Sequence, residues 1–277
     1  MFSLRRQKQN KKHQQVVQGQ EMVYKLANLQ GIGARARQED SFAVANAFNA
    51  EQIRIQGLFF AVCDGMGGMK DGALASQTAV ASLRKSYQEM DRTKDLAAQL
   101  KTAVYGASDE VFRVIGGDGG STAVVGIIYR EQLYYASVGD SYFYLLREGR
   151  LLRLNREQNL YHQRYLEEIQ NGSVDPYDYQ ELEEAHALTE FLGMEGLDDV
   201  DCSVRPLPLR EGDVLLACSD GVGGVLNEND LMQALSLEEE QAMCEWMEQR
   251  LIAYGRRNQD NYTALVIRVT GQEGEKH

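Results

Sequence analysis

Two kinds of hydrophobic pattern divide the chain. The first is short, nearly continuous apolar runs: LFFAVC (58–63), STAVVGIIY (121–129), LYYASV (133–138), YFYLLR (142–147), DVLLAC (213–218) and YTALVIRV (262–269). They are rich in β-branched and aromatic residues and are bounded by Gly, Asp or Asn, which predicts strands. The runs 121–129 and 133–138 flank Arg130 and Glu131 as a hairpin, and the next run ends in the turn sequence REGR. This is an antiparallel meander rather than an alternation of strand and helix.

The second pattern has a period of three to four. Ala75, Ala79, Val80, Leu83, Tyr87 and Met90 share one helical face, as do Leu96, Leu100, Val104, Ala107, Val111 and Val114. A third helix is expected over 237–254, with Met243, Met247, Leu251 and Tyr254 on one side. Ser236 and Glu239 at its start have the spacing of a capping box. Strand groups and paired helices together predict one domain of sheets covered by helices.

Two stretches stand apart. Residues 156–190 are polar, acidic and tyrosine-rich, and read as a flap-like excursion between core strands. Residues 1–20 hold five Lys or Arg and no acid, and read as a flexible basic tail. The body then spans 21–272, with a short tail over 273–277. The basic tail lacks the apolar core of a signal peptide, and no run is long enough to cross a membrane.

Composition narrows the function. With 43% hydrophobic residues the chain can bury a sizeable core. Outside the tail, 24 basic residues face 41 acidic ones, which argues against nucleic acid as a partner. Cys63, Cys202, Cys218 and Cys244 are widely spaced, with neither a CxxC pair nor a Cys/His cluster. They read as small apolar residues in a reducing cytoplasm.

The chemistry lies at the strand ends. Asp64 follows LFFAVC, Asp140 follows YYASVG, Asp220 follows VLLACS, and Asp260 precedes NYTALVIRV. A single Asp-Gly pair is an ordinary turn. Four carboxylates meeting at one sheet end would repel one another unless a cation lay between them. Mg²⁺ and Mn²⁺ take carboxylate, backbone carbonyl and water oxygens. Gly65, Gly67 and Gly68 would let the backbone pass close to such an ion and adopt unusual φ angles. The glycines of GGDGG (116–120) lack the lysine of a phosphate loop and read as a flexible loop.

In order along the chain, RARQED (35–40), CDGMGG (63–68), GGSTAVV (119–125), SVGDS (137–141), CSDGVGG (218–224) and DNYTALVIRV (260–269) resemble the metal-dependent PPM, or PP2C-type, protein serine/threonine phosphatases, most closely the small bacterial members. The resemblance runs from about residue 24 to 270. It implies an α+β fold, a four-layer αββα sandwich of two antiparallel sheets flanked by helices, with two Mn²⁺ or Mg²⁺ ions at one end. By that similarity Asp64 bridges both ions, the Gly65 carbonyl binds one, and Asp220 and Asp260 bind the other. Asp140 matches a position that joins Asp220 at a third, weaker ion. Asp40 holds a coordinated water, with Glu39 its neighbour in the motif. Arg35 grips the substrate phosphate, and Asn261 orders the turn beside Asp260. A water shared by two such ions ionises near neutral pH and attacks phosphorus in line.

The implied substrates are phosphorylated proteins, the targets of a cognate serine/threonine kinase or a phosphorylated anti-sigma-factor antagonist, met by a cytoplasmic monomer. The acidic flap suggests basic phosphopeptides. Departures from the family pattern fall around the site rather than on it: Gln38, Met66, Met69, Tyr142, Glu157, Gln158 and Glu190 stand where other residues are usual. Met66 and Met69 leave the leaving-group acid unnamed, and His162 and His186 of the flap read as solvated. These departures motivate the competing reading, a weak or inactive phosphoprotein-binding module on the same fold.

Overall fold

The structure is a computed structural model, and the residues it describes are 22–67, 72–172 and 185–271. In chain order they form β1 (Met22–Gly31), β2 (Ser41–Ala45), α1 (Ala50–Gln56), β3 (Leu58–Cys63), β4 (Gly65–Met66), α2 (Gly72–Glu89), α3 (Leu96–Ile115), β5 (Gly120–Ser121), β6 (Ala123–Tyr129), β7 (Gln132–Val138), β8 (Tyr142–Arg147) and β9 (Arg150–Arg153). There follow α4 (Leu160–Gln170), β10 (Asp201–Cys202), β11 (Leu207–Pro208), β12 (Val214–Cys218), α5 (Asp220–Gly223), α6 (Glu228–Leu235), α7 (Glu240–Tyr254) and β13 (Tyr262–Gly271). One antiparallel sheet has the order β1-β13-β12-β8-β9. The other has the order β10-β7-β6-β3-β2, with β11 also on β7.

The continuous apolar runs follow from burial on both strand faces. Leu58, Phe60 and Val62 point between the sheets, where they meet Phe143, Leu145, Leu215 and Ile267. Phe59, Ala61 and Cys63, the alternate positions, pack under α2 and α3 against Ala75, Leu83, Tyr87 and Val104. On the outer face of the other sheet, Leu216, Val266 and Cys218 meet Leu231, Met243 and Met247 of α6 and α7. Three apolar layers thus separate four layers of structure, giving the αββα sandwich expected from the sequence. Phe60 lies 5.6 Å from Phe143, ring centre to ring centre. A side chain at Gly126 would come within 2.2 Å of the Phe60 ring, so the smallest residue faces the largest one across the strand pair.

The predicted hairpin forms, with Arg130 and Glu131 both at positive φ (50° and 62°), as a tight two-residue turn requires. Other expectations are corrected. The run 121–129 is two strands, broken at Thr122, where Ser121 pairs with Gly65. Ser236 and Glu239 form no capping box: Ser236 closes α6, donating its hydroxyl to the Met232 carbonyl, and α7 starts after Glu239 without a side-chain cap. The capping box is instead Asn227 with Asp230, at the start of α6. Neither β1 nor β2 gives a long apolar run: β1 has polar or exposed positions around buried Tyr24 and Leu29, and β2 is five partly buried residues long. Within 156–190 the chain forms α4 and a bridge between Asn159 and Leu188; residues 173–184 lie outside the described residues. The tail over 1–20 and the segment 273–277 lie outside them too.

Candidate active site

Strand register brings the aspartates together. Val62 pairs with Val124 and Ala123 with Val138, so Asp64 and Asp140 leave their strands at the same end of one sheet. In the other sheet Cys218 pairs with Ala264, and Gly31 with Tyr262, so Asp220, Asp260 and the loop carrying Arg35 emerge at that same end. Arg35, Glu39, Asp64, Gly65, Asp140, Asp220 and Asp260 line one pocket of about 250 Å³ with Met66 and Thr122. Asp40 sits behind its wall, 4% exposed. Every residue proposed for the site from sequence therefore lies in or beside the pocket except Asn261, which acts from beneath it. Gly68 and Met69 fall outside the described residues.

Gly65 and Gly221 are needed for close approach rather than for unusual dihedrals, since neither has a positive φ. A side chain at Gly65 would stand 2.0 Å from the Gly72 carbonyl oxygen. One at Gly221 would stand 1.9 Å from that of Asn261. The backbone after each aspartate is pressed against a neighbouring segment, which holds both carboxylates in place. In the loop 116–120 the first three residues are exposed, and only Gly119 and Gly120 are closely packed. Gly119, at φ 148°, leaves room for the Met66 carbonyl.

Several positioning residues escaped the sequence reading. The Thr122 hydroxyl accepts from the Asp64 N–H at 3.1 Å, and the Thr122 N–H donates to the Asp64 carbonyl at 2.8 Å. Ser121 donates to that same carbonyl at 2.9 Å. The Ser219 hydroxyl donates to Asp40 Oδ2 at 2.8 Å and accepts from the Thr263 N–H at 3.0 Å. These residues stand within the motifs GGST, CSDG and NYT, so the motifs contained them. Nothing in a hydroxyl's sequence position says which carboxylate it holds.

Asn261 does more than order its own turn. Its side-chain oxygen accepts from the Glu39 N–H at 2.7 Å, and its amide donates to the Ile32 and Arg37 carbonyls at 2.8 and 2.9 Å. One side chain ties three backbone groups of the loop bearing Arg35, Glu39 and Asp40. Asn261→Ala strands all three, and a stability loss of about 2 kcal/mol is expected. Thermal denaturation and the KM for a phosphopeptide check it; an unchanged melting temperature would refute it.

Of the departures from pattern, Gln38 and Gln158 have structural partners. Gln38 donates to the Gly31 carbonyl and accepts from the Asp40 N–H. Gln158 accepts from Gly139 N–H and donates to the Asp199 carbonyl. Tyr142 lies under the Arg153 guanidinium, 4.0 Å from ring centre to cation. Glu190 accepts from the Asp198 N–H. Glu157 pairs with Arg153 and lines a neighbouring cavity with His186.

The charges explain what the pocket can hold. Burial, followed by repulsion from Asp40 and Asp220, raises the Asp64 carboxyl well above its usual range. Burial likewise pushes Asp40 up to about 6 and Asp140 up to about 7. Asp220 is raised by burial and by Asp260. Asp40 Oδ1 and Asp220 Oδ1 are buried without a hydrogen-bond partner among the described residues. Arg35 Nη2 lies 2.5 Å from Asp260 Oδ2. Among the described residues no three acid, histidine or cysteine side chains form a ready-made cage for one ion. The carboxylates are spread around the pocket wall, one of them held by Arg35. Clustered, desolvated oxygen donors with unpartnered lone pairs suit hard divalent cations.

This arrangement agrees with the comparisons. The serine/threonine phosphatase stp of Listeria monocytogenes is 29% identical over 182 residues, 63% of this chain and 70% of that protein. The crystal structure of the Mycobacterium tuberculosis serine/threonine phosphatase PstP/Ppp superposes with a TM-score of 0.73 at 23% identity, covering 90% of this chain and 99% of that one. A structure of the PstP catalytic domain in complex with two manganese ions gives 0.71 at 24% identity, over 90% and 100% of the two chains. The Protein phosphatase 2C family model matches residues 24–169, which run from within β1 past β9 and include the Arg35, Asp64 and Asp140 motifs. With the sandwich, the strand-end aspartates and this match in agreement, the chain belongs to the protein phosphatase 2C family.

Proposed function

We propose that this pocket hydrolyses phosphoserine and phosphothreonine in proteins. The observation that carries the reading is that four strand-end aspartates and Arg35 line one pocket. Asp64 would sit between two divalent cations, Mn²⁺ or Mg²⁺, with the Gly65 carbonyl on one and Asp220 and Asp260 on the other. Asp140 would join Asp220 at a third, weaker ion. When bound, such cations neutralise the carboxylates and lower the pKa of water to near neutrality.

The remaining roles belong to the chain. Asp40, fixed by Ser219 and by the Gln38 side chain, orients water beside the cluster. Glu39 lines the pocket, and its N–H is held by Asn261. Arg35 exchanges its bond to Asp260 for two phosphate oxygens, since its planar guanidinium matches them. Leu188 and Met66 add apolar wall. No histidine lines this pocket among the described residues, and His186 lines the adjoining cavity with Asp140, Asp220 and Asp260.

The physiological substrates are phosphoproteins made by a serine/threonine kinase, met as a monomer in the cytoplasm. Four free thiols suit that reducing setting. No helix among the described residues is long and apolar enough to cross a membrane.

Phosphate release from a phosphothreonine peptide, followed across Mn²⁺ and Mg²⁺ titrations, tests the reading. The wild type turns over with Mn²⁺ and stops with EDTA. Asp220→Ala needs more Mn²⁺ and turns over more slowly by at least the roughly tenfold to hundredfold that loss of a residue merely supporting a ligand costs. Metal-loaded wild type that hydrolyses no phosphorylated substrate would sink it.

A further inference from the structure

An apolar groove lies directly behind the loop that carries Arg35. It encloses about 350 Å³, with Ile32, Leu251, Ile252 and Tyr262 as its apolar walls and Arg256 and Gln259 on its rim. Leu251 and Tyr262 form a buried floor, 2% and 9% exposed, whereas Ile252 and Ile32 stand 69% and 45% exposed. Isolated surface isoleucines are ordinary. Two that border one concave apolar surface beside a reactive pocket are not.

The groove borders a cavity that adjoins the active site. Arg256 and Gln259 also wall the neighbouring cavity, which contains Asp140, Asp220 and Asp260. The Gln259 carbonyl accepts from the Ala34 N–H at 2.7 Å, and the Arg35 N–H donates to the Ile32 carbonyl at 3.3 Å. Ile32 and Arg35 are thus the two ends of one tight turn, within about 7 Å of each other. An extended peptide advances about 3.3 Å per residue. A peptide lying along the Arg35 turn therefore passes from Arg35 to Ile32 within two or three residues.

We propose that the groove is a specificity subsite that receives an apolar side chain of the substrate, two or three positions from the phosphorylated residue, with Ile252 and Ile32 as its specificity-determining residues. The proposal rests on the phosphatase reading above. The occupant is the substrate itself because the groove shares Arg256 and Gln259 with the cavity that adjoins the phosphate pocket through Asp140, Asp220 and Asp260. Burial of a leucine-sized side chain there discriminates against alanine by about tenfold or more.

The test is steady-state hydrolysis of phosphothreonine peptides by the full chain with Mn²⁺. Leu, Ala or Glu is placed in turn at each position up to three residues either side of the phosphothreonine. Leu at a position two or three residues away is expected to lower KM about tenfold relative to Ala, with kcat little changed. Ile252→Glu and Ile32→Ser bring that ratio to about one. Phe48→Glu, at a 99% exposed position near the opposite end of the sandwich, keeps it. Equal KM values across the panel, with p-nitrophenyl phosphate still hydrolysed, would overturn the subsite and leave the phosphatase reading standing. Failure to hydrolyse p-nitrophenyl phosphate and every peptide overturns both. If both groove variants slow p-nitrophenyl phosphate and all peptides in proportion, they act by deforming the Arg35 loop, and the subsite is refuted. A wild-type dimer that Ile252→Glu dissociates, with no peptide preference, would assign the groove to a second copy and likewise refute it.

Discussion

Replacing Asp64 by asparagine is expected to lower phosphopeptide turnover about a thousandfold or more, equivalent to about 4 kcal/mol of transition-state stabilisation. The substitution keeps the shape but removes the charge shared between both proposed cations and turns one acceptor oxygen into a donor, so every later step loses its electrostatic support. Titration calorimetry with Mn²⁺ should show the tight sites lost. Asn261→Ala, by contrast, should leave metal binding measurable. Retention of near-wild-type Mn²⁺ affinity in Asp64→Asn would refute the bridging role.

The same substitution should have an opposite effect on the stability of the metal-free protein. Asp64 is raised well above its ordinary value, chiefly by burial and then by Asp40 and Asp220; Asp40 and Asp140 reach about 6 and about 7. A carboxyl whose folded pKa lies above its unfolded one binds more protons when folded. Stability therefore falls as pH rises from the unfolded value, near 3.8, through the folded one. EDTA-treated wild type should melt at a lower temperature at about pH 7.5 than at about pH 5, and added Mn²⁺ should raise the melting temperature more at the higher pH. Metal-free Asp64→Asn should be the more stable protein at about pH 7.5, with the gap closing toward about pH 5, because it lacks one buried charge. Melting curves at the two pH values, with and without Mn²⁺, decide this.

Much of this site was legible because its residues sit where two strong signals meet. An apolar run that stops on an aspartate marks both a strand and its end, and the antiparallel register then places Asp64, Asp140, Asp220 and Asp260 at one edge. Two-sided burial made β3, β6, β12 and β13 unmistakable. β1 carries Lys25, Asn28 and Gln30 on a partly exposed edge, so its pattern is diluted, although its end at Gly31 starts the Arg35 loop. Residues whose work is done by hydrogen bonds to distant segments left no periodic trace. Asn261 reaches Arg37 across 224 positions, and Ser219 reaches Asp40 across 179. Of the two reasons for glycine after the aspartates, close approach and unusual φ, the second does not hold at Gly65 or Gly221. The need at Gly65 and Gly221 is contact with backbone from another segment, which sequence spacing does not reveal. The capping box failed for a related reason: Ser236 has the right spacing, but α6 ends on it and takes its hydroxyl.

The largest loss of fold stability from a single side chain outside the pocket is expected at Asp213. It is 1% exposed at the start of β12, on the side of the sandwich away from the aspartates. Arg147 grips it with two bonds, Nε to Oδ1 at 2.8 Å and Nη2 to Oδ2 at 2.6 Å, and the Arg210 N–H donates to Oδ2 at 2.8 Å. Arg147 Nη2 also donates to the Pro208 carbonyl at 2.8 Å, so this ion pair joins β8, β11 and β12. Asp213→Ala would leave a partly buried guanidinium without its counter-ion and a backbone N–H without its acceptor. Breaking such a pair from one side costs about 3–5 kcal/mol, a fall of roughly 10 °C in melting temperature for a domain of this size. Removing both ends is far milder, because no uncompensated charge remains. The double variant Asp213→Leu with Arg147→Met should regain most of the loss. Turnover per folded molecule should be unchanged in both variants, since neither residue lines the pocket. A double variant as unstable as Asp213→Ala would show that the ion pair itself, rather than the stranded arginine, holds this end of the sandwich together.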